Sequence, residues 1–201
     1  NHGINLNYQK VGDYPNMYGD DPTHSCYHTD LFSESGFEFI WTGKVTHIIG
    51  QNGRGNFSIL SKLLVQKILK KIKYQYVKDP IYDDDNYLIK PLLLRDGNKK
   101  WEFIRFINSW GNAGELDLYE FAGQIKVQNL KRLIKNQGVM VLYTHFNENL
   151  CATIPVKLNE RLSYLKKMVN RKEILMGTTS RILKYWEVSK HITFEVQDLK
   201  N

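Results

Sequence analysis

Cysteine is scarce: Cys26 and Cys151 are the only two in 201 residues. Two cysteines do not make a disulfide framework and point instead to a reducing compartment, so a cytoplasmic setting is expected over secretion. Long apolar runs are missing too. No window approaches about 18 uninterrupted apolar residues, so no membrane-spanning helix is expected. The start shows no signal-peptide pattern. The chain opens Asn1-His2-Gly3 without a Met, so it reads as the continuation of a longer chain, and an upstream signal is left open. No arginine-rich tract occurs, and the lysines are dispersed. The net charge of +7 suits nucleic acid, a membrane surface or an anionic glycan, but it also suits a chain simply rich in Lys, Asn and Ile. Nucleic acid is not the expected partner. The glycine-rich Gly50-Gln51-Asn52-Gly53-Arg54-Gly55 lacks the Lys-Ser/Thr of a phosphate-binding P-loop. Internal repeats and low-complexity segments are absent as well.

What is there is an ordinary globular composition, 42% hydrophobic and 24% charged, enough for one domain over 1–201 with a real core. Residues 1–35 are loop-rich, punctuated by Gly3, Gly12, Pro15, Gly19 and Pro22. Strands are expected at 37–41 and 45–49, and a loop at 50–56. A helix is expected at 58–73, with Leu60, Leu64 and Ile68 on a core-facing stripe. Asp83-Asp84-Asp85 reads as an acidic loop. Strands at 87–94 and 100–107, joined by Arg95-Asp96-Gly97-Asn98, read as a hairpin. From 118 onward helix and strand alternate: helix 118–135, strand 139–143, helix 156–169 behind Pro155, strand 173–176, helix 179–188 capped by Thr178 or Thr179, strand 192–196. That alternation predicts βα units around a parallel sheet.

Parallel α/β sheets place their chemistry at the carboxyl ends of strands. The apolar run Val139-Met140-Val141-Leu142 ends in Tyr143-Thr144-His145. The period of two in an extended strand sets Tyr143 beside His145. Trp41 and Thr42 close an earlier strand, and Trp110 lies in a Gly- and Asn-rich loop, where an exposed tryptophan suits ligand contact. Arg105 reads as a surface position on an edge strand. His47 and His191 read as structural histidines within apolar strands. Cys26, flanked by His24 and His28, lacks the orienting group and oxyanion hole that a nucleophilic cysteine needs.

Three stretches together resemble the polysaccharide deacetylase superfamily, the NodB-homology fold. They are Val139 through Phe146; Ile174-Leu175-Met176-Gly177-Thr178-Thr179-Ser180-Arg181-Ile182-Leu183-Lys184-Tyr185; and Tyr27-His28-Thr29-Asp30-Leu31 followed by Gly36-Phe37 and Phe39-Ile40-Trp41. The resemblance implies a distorted (β/α) barrel, incomplete at its N-terminal end, with a hairpin insertion around 87–107. It implies removal of an acetyl or similar acyl group from an N-acylated carbohydrate, with a divalent metal, usually zinc, polarising the amide carbonyl. By its place in the last motif, His145 would protonate the departing amine. His2, Asn5, Trp41, Thr42, Trp110 and Tyr143 would contact the substrate.

Two placements of the metal stay open. His24-Ser25-Cys26-Tyr27-His28 satisfies the family's His-Ser/Thr-x-x-His pattern, and two His four apart on a helix share a face. Alternatively Asn1-His2-Gly3 is a divergent form of the motif that follows the metal histidines, and the metal site precedes Asn1. The family's acidic Thr-Phe-Asp-Asp motif has no counterpart, which admits a catalytically inactive glycan-binding domain. A basic protein binding nucleic acid or a membrane surface through the 58–73 helix is the further rival.

Overall fold

A computed structural model of the chain describes residues 19–25, 27–41, 44–53, 60–61, 64–65, 67–68, 86–107, 118–144, 154–189 and 191–193. The expected hairpin forms. Strand β3 (Ile89–Leu93) pairs antiparallel with β4 (Lys99–Phe103), Ile89 opposite Phe103 and Leu93 opposite Lys99. Gly97 supplies the left-handed residue of the turn, with φ +86°. Pro91 is tolerated because β3 is the edge of a sheet ordered β1-β4-β3, where its missing N–H faces no strand among the described residues. The hairpin is not appended to the core but built into it: Leu88, Ile89 and Phe103 pack with Val141 and Leu183 in one buried cluster.

Parallel pairing occurs in two short stretches, both outside the alternating region from Leu118 onward for which it was predicted. Strand β1 (Phe39–Ile40) runs parallel to β4, Phe39 opposite Trp101 and Ile40 opposite Glu102. Strand β2 (Val45–Thr46) runs parallel to β5 (Arg105–Phe106), Val45 opposite Arg105 and Thr46 opposite Phe106. Five steps of chain on the first side, from Ile40 to Val45, face three on the other, from Glu102 to Arg105. A lip two residues longer than its partner therefore separates the paired stretches, and Trp41 and Lys44 bound it.

The 139–143 segment docks on the far side of β5. Phe106 N donates to Val141 O at 2.9 Å, and Val139 forms an antiparallel bridge with Gln51. The close approach at that bridge explains two glycines. Gly50 has φ +81°, and a Cβ on Gly138 would drive into the Gly50 carbonyl.

Helix α1 (Thr29–Glu34) starts later than a His24–His28 pairing requires. Residues 19–28 instead clamp the hairpin turn. Buried Asp20 accepts from Arg95 N at 3.0 Å and from its guanidinium, and Asp96 accepts from Thr29 Oγ1 at 2.5 Å and Tyr27 OH at 3.3 Å. The expected 118–135 helix is two, α2 (Leu118–Gln124) and α3 (Val127–Asn136). The break has a cause: buried Asn129 sends its side-chain amide to Gln124 O at 2.9 Å, replacing a bond that a continuous helix would make. Helix α4 (Val156–Asn170) buries Leu158, Leu165 and Met168 on one stripe and packs on α2 through Leu118, Ala122 and Ile125. Arg161 of α4 donates to Ala122 O at 2.6 Å, serving a carbonyl near the C-terminus of α2.

Three expectations are corrected. Residues 173–176 form no strand, because Glu173 N donates to Met168 O at 3.0 Å in closing α4, and Leu175 and Met176 are exposed. His191 lies in an exposed turn rather than a strand. Residues 60, 61, 64, 65, 67 and 68 are helical as predicted, but Leu60, Leu64 and Ile68 are about half exposed or more, not core-facing. The acidic stretch 83–85 and residues 194–196 lie outside the described residues.

The last helix, α5 (Thr179–Ser189), is capped as its sequence predicts. Thr178 Oγ1 accepts from Arg181 N at 3.4 Å. Leu183 of this helix enters the core, with Trp186 packed beside it. Among the described residues no helix is long and apolar enough to cross a membrane.

Candidate functional site

A cavity of about 610 Å³ opens between the β1 end of the sheet, β4–β5, the 142–143 segment and the first turns of α5. Its floor follows from strand periodicity. Phe103 and Arg105 are two apart, so both point to the cavity side, while buried Ile104 points away. Trp41 comes from the lip, Tyr143 from the end of the 139–143 segment, and Thr179, Ser180 and Lys184 from α5.

At its centre is a guanidinium flanked by two rings. Arg105 Cζ lies 3.4 Å from the Trp41 ring centroid and 4.1 Å from that of Tyr143. The rings themselves are 6.3 Å apart and tilted by 34°. A cation near two aromatic rings gains quadrupole attraction from each. Trp41 is fixed in turn by its own indole N–H, which donates to Lys44 O at 2.8 Å. Lys44 is tied to buried Glu102 at 3.2 Å. The bond to Lys44 thus holds Trp41 over Arg105.

Arg105 is only 8% exposed, and its Nη1 has no hydrogen-bond partner among the described residues. Burial pulls its pKa down to about 10, with Tyr143 acting in the opposite direction, so it stays a cation at neutral pH. Buried charges are normally paired, because an unpaired one forfeits its hydration. The other charged residues of the lining are already engaged: Lys184 contacts Glu38 at 3.2 Å and Glu187 at 2.9 Å.

The residues singled out from sequence divide as follows. Trp41 and Tyr143 are brought together in the cavity. One face of Trp41 is covered by Arg105, so that face does not serve as a sugar platform. His24 lies in a turn, bonding through its backbone to Asp21 and Tyr27, and His28 occupies the N-cap of α1. The helical face that would have paired them is not formed, and the His28 ring packs instead over Gly19 and against Phe32, 5.4 Å away. Among the described residues no three His, Cys, Asp or Glu gather where they could hold a metal. His2, Asn5, Cys26, Thr42, Trp110, His145 and Cys151 lie outside the described residues. His47 is buried, with Nδ1 3.1 Å from Ile107 O, which fits the structural role expected for it.

Arg105 is the residue that sequence reasoning misplaced. It is not on an exposed edge: β5 is flanked by β2 on one side and by Val141 on the other. A signal was available in Phe103-Ile104-Arg105-Phe106-Ile107, where one charge interrupts an otherwise apolar strand. Thr179, Ser180 and Lys184 belong to a stretch noted for its resemblance, yet carried no functional expectation.

Compared with known protein families, curated proteins and solved structures, the chain matches none of them.

Proposed function

We propose that this domain binds an acylated carbohydrate in the cavity above Arg105 and acts on it as the polysaccharide deacetylases it resembles do, removing an acetyl or similar group. One observation carries the reading. Trp41 and Tyr143, chosen from separate motifs as substrate contacts, line a single cavity of about 610 Å³, within the usual range for small-molecule sites. In this reading the sheet is part of a distorted (β/α) barrel, and the site sits at the carboxyl end of the 139–143 segment.

His145, two residues past Tyr143 in the sequence, is the proposed acid. Protonating the nitrogen lets a neutral amine leave in place of an amide anion. Among the described residues no cluster of three His, Cys, Asp or Glu offers itself for a metal, and His24 and His28 are not a helical pair.

The test is acetate release from N-acetylated oligosaccharides by the purified chain and by His145→Ala, with circular dichroism as the check on folding. Release that is lost in the folded variant supports the assignment. Sugar bound without turnover would move the domain to the glycan-binding class. Absence of both binding and release refutes the carbohydrate reading.

A further inference from the structure

The buried Nη1 of Arg105, without a hydrogen-bond partner among the described residues, asks for a partner of particular shape and charge. Trp41 and Tyr143 flank the guanidinium, their ring centroids 3.4 Å and 4.1 Å from Cζ. An oxyanion that reaches Nη1 would meet it in the plane of the guanidinium, the geometry in which arginine pairs with a carboxylate.

The first turn of α5 lines the same cavity. The first N–H groups of a helix have no acceptor within it, and Thr178 Oγ1 takes just that of Arg181. The positive end of the helix dipole thus faces the same space as Arg105.

Charge selects among oxyanions. The lining contains two cations, Arg105 and Lys184, and one carboxylate, Glu38. Lys184 is shared between Glu38 and Glu187, which leaves one positive charge in need of compensation. A carboxylate supplies one negative charge, whereas a phosphomonoester brings about 1.5 to 2 at neutral pH.

We propose that the carbohydrate taken by this cavity is acidic, its carboxylate pairing edge-on with Arg105 beside the first turn of α5. This rests on the carbohydrate reading above. Trp41 and Tyr143 then act chiefly as walls beside the guanidinium. Lysine cannot replace arginine here, because an ammonium offers neither the flat faces nor the paired donors.

The experiment is calorimetric titration of the full chain, at constant ionic strength, with four probes. A hyaluronan hexasaccharide carries both N-acetyl groups and carboxylates, a chitin hexasaccharide carries N-acetyl groups alone, and acetate and inorganic phosphate report the bare anions. Each is repeated with Arg105→Met and Arg105→Lys. The expected result is hyaluronan bound at least tenfold more tightly than chitin, with that preference abolished in both variants at unchanged circular dichroism. Should Arg105→Lys misfold, Arg105→Met, expected to be the more stable of the two, gives the reading.

Equal affinity for the two oligosaccharides, or a preference that survives in the folded variants, overturns the acidic assignment and leaves the carbohydrate reading standing. Acetate or phosphate binding through Arg105 with no gain from either sugar overturns the carbohydrate reading and keeps only an anion site. Phosphate bound tenfold above acetate through Arg105 overturns the choice of carboxylate. No binding by any probe refutes both.

Discussion

Replacing Arg105 by methionine should make the unliganded protein more stable. Folding takes this guanidinium from water into a site where burial pulls its pKa down from the ordinary arginine value to about 10. At about 1.4 kcal/mol for each tenfold change in proton affinity, carrying the charge into the fold costs about 3 kcal/mol. The sign follows from the direction. A cation whose folded-state pKa lies below its unfolded value is disfavoured at every pH below about 10, and the penalty fades only as pH rises toward the unfolded value. Against this stands the attraction of the two rings, about 0.5–2 kcal/mol for each cation–π contact. Methionine fills similar space and recovers part of that through sulfur–aromatic contact, about 0.3–1.5 kcal/mol. The balance is a net gain of about 1–2 kcal/mol, or roughly 3–6 °C in Tm for a chain of this size. Urea and thermal unfolding at pH 7, without added anions, read it directly. Arg105→Lys is the control: it keeps a buried charge, loses the stacked faces, and should be less stable than either. A methionine variant less stable than the parent by more than about 1 kcal/mol would sink the reasoning, since it would mean that Arg105 is already satisfied in the folded protein.

Two other sites give sharp expectations. Burial opposes ionisation of Asp96, but hydrogen bonds from Thr29, Asn98 and Tyr27 outweigh it and hold the pKa below the ordinary value. Such a carboxylate contributes stability that is present above its unfolded pKa, about 3.9, and is lost as pH falls through the folded value. The stability difference between the parent and Asp96→Asn, measured by urea unfolding, should therefore be larger at pH 7 than at pH 3; a constant difference would deny the role of the charge. Gly138→Ala puts a methyl group into the Gly50 carbonyl, where backbone rather than a yielding side chain must move. A loss of about 1–3 kcal/mol is expected, and less than half a kcal/mol would show that the two segments are not held so close.

The sequence disclosed elements wherever local chemistry decided them. Arg95-Asp96-Gly97-Asn98 announced the hairpin, and Thr178 announced the start of α5. It was less informative where distant residues decide. The break between α2 and α3 depends on the Asn129 side chain reaching back to Gln124, and no periodicity reveals that. Residues 173–176 carry a strand-like composition, but Glu173 N is taken up in closing α4. The site was half legible. Trp41 and Tyr143 were visible as aromatic residues at strand ends, whereas the burial of Arg105 depends on β2 and the 139–143 segment closing around β5. Whether a charged residue in a strand faces water or a cavity depends on neighbours that are remote in the chain.

The unequal lengths of the two sides between Ile40–Val45 and Glu102–Arg105 differ by two residues, which is also the repeat of side-chain direction along a strand. Parity is thus conserved across the lip: β1 and β2 keep the same inward and outward alternation that they would have without it. Deletions or insertions in pairs at this point keep the core residues on their own faces. A single-residue change would reverse the directions of one of the two strands, exchanging Val45 with Thr46 if β2 is the one to turn. The connection between Ile40 and Val45 is accordingly a place where chain length can change, in evolution or at the bench, in steps of two that leave the sheet intact.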